Sequence, residues 1–111
     1  MDILIRKSEI LKALGQPTRM KIIELLRDGE RCVCEMLPIL GEEQANVSKH
    51  LSILRQAGIV EFRKEGVSSY YKIKDKRVFK LLDVVEDIVR DEILQSAEIA
   101  KTIGFKKSVR K

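Results

Sequence analysis

The sequence predicts a mainly α-helical domain that carries one β-hairpin close to its last helix. Apolar residues recur at helical spacing along most of the chain, and the period changes to strict alternation in two short neighbouring runs. Glycines stand at the boundaries between these segments. Because 111 residues suffice for one hydrophobic core, we assign residues 1–103 to a single domain and residues 104–111 to a basic, flexible tail.

The first third of the chain predicts three helices. The first covers residues 2–14, ends before Gly15 and has an apolar face formed by Ile3, Ile10, Leu11 and Leu14. The second opens at Pro17 or Thr18 and ends at the turn signal Asp28-Gly29. The third is the short segment CEMLPIL, which Gly41 closes.

A fourth helix, a hairpin and a long fifth helix follow. The fourth helix runs from about Glu43 to Ala57 and directs Val47, Leu51 and Leu54 inward. The runs IVEFRK and SSYYKIK alternate around Glu65-Gly66 and predict two paired strands. The fifth helix extends from Lys76 to about Thr102. Its apolar face is wide enough to cover both its own core and a partner, and consists of Val78, Leu81, Leu82, Val85, Ile88, Val89 and Ile99.

This order of elements is that of a winged helix-turn-helix, with Gly41-Glu42-Glu43 as the turn. Short polar side chains near the N-terminus of the fourth helix suit contacts with base edges in a major groove. Residues 44–80 hold nine basic and three acidic side chains, whereas residues 81–100 hold one basic and six acidic ones, so positive charge is localised as on a nucleic-acid surface. We therefore expect double-stranded DNA as the partner, contacted through Gln44, Asn46, Ser48, Lys49, Arg55, Arg63 and Lys64. A winged-helix module that docks onto protein is the alternative.

Four blocks of the sequence resemble the ArsR/SmtB family of winged-helix repressors. They are LGQPTRMKIIELL, ERCVCEML, QANVSKHLSILRQAGIV and FRKEGVSSYYKI, and together they cover about residues 8–90. The resemblance implies a homodimer formed by the first and last helices, an inverted-repeat operator, and release of DNA when an effector binds. It also implies recognition-helix contacts at Gln44, Ala45, Ser48 and Lys49, and a wing that runs from Arg63 to Tyr70.

The two cysteines, Cys32 and Cys34, match the CVC segment that binds metalloids and soft metals in members of this family. The resemblance therefore implies an effector such as As(III), Cd(II) or Pb(II) held by two thiolates, and no cofactor required for folding. Leu37 stands where the arsenic-responsive pattern has a third cysteine, so a third ligand must come from elsewhere. Two other interpretations stay open: a dithiol redox switch, and two small buried apolar side chains that sense nothing.

The position of Pro38 bears on how the two cysteines are arranged. Proline is tolerated without distortion only in the first turn of a helix, so the third helix is expected to begin at or after Glu35, with both cysteines in extended backbone before it. The alternative is an earlier start with a kink at Pro38. Within a regular helix, residues two apart point about 200° apart, which would prevent the thiolates from sharing one ion.

Several other kinds of protein are not expected. At the zinc site that the family carries on its last helix, Asp75 and Asp91 match ligands, but Arg77 and Ile88 replace the histidines. The single histidine, His50, is expected on the DNA face, and no catalytic constellation is evident, so we predict that the protein is not an enzyme. Without a secretory or membrane-spanning segment, a cytoplasmic location is expected.

Overall fold

The computed structural model describes residues 1–102, apart from the side chains of Ala100 and Thr102. It divides the chain into two compact units, residues 1–79 and the segment from Lys80 onward. The predicted order of elements is confirmed, with one short strand added: α1 (Ile3–Leu14), α2 (Pro17–Leu25), β1 (Arg31–Cys32), α3 (Val33–Leu40), α4 (Gln44–Gln56), β2 (Val60–Glu65), β3 (Ser68–Ile73) and α5 (Arg77–Thr102). The predicted domain boundary after residue 103 and the basic tail lie outside the described residues.

Local signals fix the residues at which the first two helices begin. The Asp2 carboxylate caps α1 by accepting hydrogen bonds from the backbone N–H groups of Leu4 and Ile5, at 2.9 and 3.2 Å. Pro17 begins α2, where its missing N–H costs nothing. The Arg6 guanidinium donates a 2.8 Å hydrogen bond to the carbonyl oxygen of Ala57, and this bond joins α1 to the end of α4.

Helices α2, α3 and α4 enclose the hydrophobic core of the first unit. The inward orientation predicted for Val47, Leu51 and Leu54 is confirmed, because all three are fully buried. Gly41 ends α3 in the left-handed conformation with φ of 65°, which a glycine adopts without steric cost. The chain thereby turns within three residues from α3 into α4. The largest fully buried side chains are Ile22, Ile23, Leu26, Met36, Val47, Leu51 and Leu54.

The hairpin belongs to a three-stranded antiparallel sheet with the order β1-β3-β2. In this sheet Cys32 pairs with Tyr70, and Tyr70 pairs with Arg63 on the other side. The sequence did not reveal β1, because a strand of two residues is too short to display an alternating pattern. Its presence ties the cysteine segment directly to the wing.

Helix α5 contains 26 residues, and the part of it from Lys80 onward belongs to the second unit. An extended row of its apolar side chains is exposed to solvent in the single chain. Burying such a row requires a further surface, because isolated soluble domains seldom expose a large contiguous apolar patch. The exposed apolar side chains of this portion are Leu81, Val84, Val85, Ile88, Val89, Ile93, Leu94 and Ile99.

Candidate DNA-binding surface and cysteine pair

The N-terminal half of α4 presents the polar side chains that the sequence singled out. The residues predicted to contact DNA there are all exposed: Gln44, Ala45, Asn46, Ser48 and Lys49. Glu43 precedes them as the N-cap and makes no side-chain capping bond. The first backbone N–H groups of α4 are therefore not capped by the side chain of Glu43, and the polar side chains beside them are exposed.

The carboxylate of Glu42, in the turn before α4, connects this helix to α2. Glu42 accepts hydrogen bonds from Asn46 Nδ2 and, at 3.2 Å, from Thr18 Oγ1. Asn46, a predicted base-reading residue, is thus engaged by a carboxylate of its own chain. The sequence missed the role of Glu42, although its place two residues before the polar helix start made it a candidate for such a contact.

His50 is on the buried side of α4. The expectation that it would lie on the DNA face is therefore wrong. Its side chain is 8% exposed, and Nδ1 lies 3.1 Å from Nη1 of Arg19 on α2. Arg19 also donates a 2.6 Å hydrogen bond to the carbonyl oxygen of Ala13. Since a guanidinium only donates, Nδ1 must be the acceptor and the ring is neutral. Burial and the adjacent Arg19 charge both lower the pKa of His50.

The wing carries Arg63 in a network of contacts within the chain. Its guanidinium donates two 2.8 Å hydrogen bonds to the two carboxylate oxygens of Glu30 and one of 2.7 Å to Glu65. The same group lies 4.6 Å from the ring centroid of Tyr70. These bonds raise the pKa of Arg63 and lower that of Glu30. Two carboxylates therefore neutralise Arg63 in this conformation.

The other predicted wing and helix contacts are exposed to different degrees. Lys64 is exposed near the tip of the hairpin, and Tyr70 is half-buried. Arg55 is exposed but stacks over Phe62, with 4.3 Å between its guanidinium carbon and the ring centroid. Such stacking leaves the edge of the guanidinium available as a hydrogen-bond donor.

The third helix begins earlier than expected, and the prediction of a start at or after Glu35 is wrong. Cys32 is the N-cap, in extended backbone, and α3 starts at Val33. Reciprocal capping stabilises this start: Cys34 N–H donates to Cys32 Sγ at 3.2 Å, and Cys32 N–H donates to Glu35 Oε1 at 2.8 Å. Pro38 consequently lies inside the helix. The capping gain at the first turn offsets the backbone bond that proline cannot make.

This helix start brings the two sulfur atoms together. Cys32 is extended and Cys34 is helical, so the 200° separation expected within one regular helix does not apply. The sulfurs form a disulfide, and the Cα atoms are 5.2 Å apart, which is within the ordinary range for such a bond. Cys32 is only 5% exposed, whereas Cys34 is exposed.

The cysteine pair opens into a cavity of about 320 Å³ that the DNA-binding elements also line. Gln44 and Ser48 contribute from α4, and residues 67–69 contribute from the tip of the hairpin. No lining residue in the described part of the chain is charged. Two predicted base-reading side chains and both predicted effector ligands therefore share one cavity, a proximity that the sequence pattern did not reveal.

The cysteine pair is the candidate donor set for a metal ion. Among residues 1–102, no cluster of three or more histidine, cysteine, aspartate or glutamate side chains is placed to hold an ion. In the reduced state, two thiolates at this point would suit a soft ion that takes its remaining ligands elsewhere, but they would not supply the three thiolates that As(III) prefers. At the position of the last-helix zinc site, Arg77 binds the Asp75 carboxylate at 2.6 Å and lowers its pKa to about 2.

Comparison with known proteins places these features among transcriptional regulators. The family model described as "Bacterial regulatory protein, arsR family" matches residues 16–61. An HTH-type transcriptional regulator of Methanocaldococcus jannaschii is 43% identical over 84 residues, which are 75% of this chain and 94% of that protein. A protein of Staphylococcus aureus described as a homolog of the cadmium resistance transcriptional regulatory protein CadC is 39% identical over 77 residues. These are 68% of this chain and 64% of that protein.

A solved structure agrees with the same fold. It is the NMR structure of the homodimeric winged helix-turn-helix DNA-binding domain of Mb0332 from Mycobacterium bovis, described as a possible ArsR-family regulator. The sequences are 34% identical, the TM-score is 0.71, and the match covers 84% of this chain and 85% of that one. Within residues 1–102, no helix is both long and apolar enough to cross a membrane.

Proposed function

Because this chain belongs to the ArsR family of bacterial regulatory proteins, we propose that it is a homodimeric repressor whose affinity for its operator depends on the chemical state of Cys32 and Cys34. The observation that carries the proposal is the cavity in which the cysteine pair meets Gln44 and Ser48 of the recognition helix. Chemistry at the sulfurs occurs beside the side chains that would read DNA. No separate transmission over a long distance is needed.

Each residue of α4 that is predicted to contact DNA has a defined role in this proposal. Gln44, Asn46 and Ser48 hydrogen-bond to base edges, and Ala45 packs against a thymine methyl group. Lys49 and Arg55 bind phosphates on either side of the groove. The wing adds phosphate or minor-groove contacts through Arg63, Lys64 and Tyr70.

Dimerisation would place two copies of α4 on one face of the DNA. The exposed apolar side chains of α5 supply one surface that a dimer would bury, and Ile3, Leu4 and Leu11 of α1 supply another. The homodimeric state of the related Mycobacterium bovis domain supports this assignment. Two recognition helices about 34 Å apart then require an inverted-repeat operator with half-sites one helical turn apart.

A thiophilic ion such as Cd(II), Pb(II) or As(III) is the first candidate effector. Cys32 and Cys34 would hold it, with further ligands from outside the described residues or from a second chain. The similarity to the CadC homolog supports a soft metal. Occupation of the pair would favour the conformation that binds DNA less well, and a coupling of about 1–3 kcal/mol is typical of such effects.

Oxidation of the dithiol is the second candidate, and a specific observation favours it. The two sulfurs are bonded to each other in the structure, and no third histidine, cysteine, aspartate or glutamate side chain among residues 1–102 is placed to complete an ion site with them. Oxidation would remove two thiols from the cavity and fix the start of α3. Because β1 pairs with β3, the same change would reach the wing.

Titration of a protein–operator complex tests these alternatives. The reduced protein is bound to its operator, and Cd(II), Pb(II), arsenite or a dithiol oxidant is added while DNA binding is followed by fluorescence anisotropy. Release by one of them in the wild type, but not in the Cys32→Ser/Cys34→Ser variant, is the expected result. Equal release from the variant, or release by none of the reagents, refutes the role of the cysteines. Absence of duplex binding at low salt refutes DNA binding and favours a protein-docking module.

A further inference from the structure

The cavity beside the cysteine pair has the size and lining of a site for a small polar molecule. Its volume of about 320 Å³ falls in the range of small-ligand pockets. Gln44 offers an amide, Ser48 and Ser69 offer hydroxyls, and Tyr71 offers a phenol and an aromatic surface. These groups both donate and accept hydrogen bonds, and none carries a charge at neutral pH. The lining therefore suits a neutral, hydroxyl- or amide-bearing ligand better than a bare ion.

The two sulfurs at the base of this cavity are not equivalent. Cys34 is exposed and lies in the first turn of α3. Cys32 is 5% exposed, its Sγ accepts a hydrogen bond from the Cys34 N–H at 3.2 Å, and the two sulfurs are bonded to each other. A reagent from solvent therefore meets Cys34 first, and Cys32 is placed to react second.

We propose that this cavity binds a small, neutral disulfide that oxidises the pair through Cys34, and that the intermediate adduct excludes DNA. The proposal rests on the function proposed above and names the effector class. It accounts for both the cavity and the unequal exposure of two adjacent cysteines, neither of which a soft ion requires.

The chemistry balances in two exchange steps. The Cys34 thiolate attacks one sulfur of the disulfide RSSR, so that the S–S bond of RSSR breaks, a Cys34–S–SR bond forms and RS⁻ leaves to take up a proton. The Cys32 thiolate then attacks Sγ of Cys34, the second RS⁻ leaves, and the Cys32–Cys34 disulfide forms. The protein dithiol loses two electrons, and RSSR gains them to become two RSH.

The intermediate has a direct consequence for DNA binding. While the R group is attached to Cys34, it occupies the space between α3, the hairpin tip and the side chains of Gln44 and Ser48. A base edge or phosphate cannot enter the same space. Bound DNA and the adduct on Cys34 are therefore mutually exclusive, and each slows the formation of the other.

The Cys32→Ser variant isolates the first step, because the adduct cannot be resolved without Cys32. The full chain carrying this change is treated with bis(2-hydroxyethyl) disulfide and followed by intact mass and by DNA-binding anisotropy. We expect one hydroxyethylthio adduct per chain and loss of DNA binding, both reversed by dithiothreitol. Prior saturation of the protein with DNA is expected to slow the formation of the adduct. The Cys34→Ser variant, whose remaining sulfur is buried, is expected to react much more slowly.

A thiol placed elsewhere on α4 provides the matched control. In the Cys32→Ser/Cys34→Ser background, Gln56→Cys puts an exposed thiol at the far end of α4. Its adduct should form without protection by DNA and without loss of binding. Equal reactivity of Cys32 and Cys34, or unchanged DNA affinity of the Cys34 adduct, overturns the inference. The mass measurement uses DNA-free protein, so it stands even if the ion assignment fails, whereas failure of the unmodified protein to bind any duplex refutes the proposed function itself.

Discussion

The carboxylate of Glu30 holds the guanidinium of Arg63 through two hydrogen bonds of 2.8 Å, and so connects the residue before β1 to the start of the wing. Glu65 engages the third nitrogen of the same guanidinium at 2.7 Å. Charge-assisted, two-pronged pairs of this kind are stronger than single contacts, even at a surface. The wing arginine must therefore be released from an acid of its own chain before it can bind a phosphate.

Replacing Glu30 by glutamine is expected to strengthen DNA binding. Arg63 then loses one of its two carboxylate partners and becomes available to a phosphate. The dependence of log K on log salt concentration should steepen by roughly 0.9, the value for one additional phosphate contact. Anisotropy titrations at several salt concentrations measure both quantities. Glu61→Gln is the control, because it removes the same charge from the wing but its partner is Lys72, at 3.8 Å. An equal effect of the two changes would contradict the specific role of Glu30.

Truncation of Gln44 or Ser48 to alanine is expected to weaken operator binding without unfolding the protein. Both side chains are exposed, so the core is untouched, and a base contact is worth about 1–3 kcal/mol. The loss should be specific for the operator, whereas affinity for unrelated duplex DNA should change little. Competition titrations with the two kinds of duplex measure the difference. Gln56→Ala, at the other end of α4, should leave both affinities unchanged.

Acidification is expected to destabilise the fold through His50. The pKa of His50 is lowered below 6.5 in the folded protein, so the unfolded chain binds more protons at pH values between the folded pKa and 6.5. The stability that the neutral, buried ring contributes is complete above the unfolded pKa and is lost as the pH falls through 6.5 towards the folded pKa. Urea denaturation at pH values between 5 and 8 measures this trend. His50→Gln keeps an acceptor for Arg19 but cannot titrate, so its stability should vary less over the same interval.

Substitution of Ile88 by lysine is expected to weaken self-association. Ile88 is exposed in the middle of the apolar row of α5, and a lysine there would place a charge in an apolar interface. Sedimentation equilibrium measures the dimer dissociation constant. Glu92→Lys changes an exposed acidic position of the same helix and serves as the control. A monomeric wild type, or an unaffected Ile88→Lys dimer, would remove α5 from the proposed interface.

Replacing Gly41 by alanine is expected to cost about 1–2 kcal/mol of stability. Its φ of 65° disfavours any residue with a Cβ, and an added Cβ would meet no atom within 4 Å, so the cost is conformational and not steric. Thermal unfolding measures the change. Gly41→Asn should recover part of the loss, because asparagine tolerates the left-handed conformation better. Full stability of the alanine variant would mean that the turn from α3 to α4 relaxes.

Residues with a clear local pattern were predictable from the sequence, whereas contacts between distant segments were not. Val47, Leu51 and Leu54 repeat at helical spacing, and the structure buries them as expected. The start of α3 at Val33 was missed because the rule for Pro38 considers the backbone alone, while capping by Cys32 and Glu35 decides the outcome.

The candidate site combined predictable and unpredictable parts in the same way. The exposed polar start of α4 follows from its periodicity. The ion pair of Glu30 with Arg63 and the burial of His50 against Arg19 join residues more than 30 positions apart. Only the fold brings such pairs together, because the sequence position of a charged residue or a histidine does not indicate which distant residue it contacts.

The strand order β1-β3-β2 leaves β2 as the long outer strand of the sheet, with unpaired backbone groups along one side. Such an edge invites pairing with another chain and hence aggregation, and charged side chains on it oppose this. In β2 those charges are Glu61, Arg63, Lys64 and Glu65. The side chains assigned here to DNA contact thus also keep the sheet edge soluble, and alanine variants that map the wing should be checked for aggregation before a loss of binding is attributed to DNA.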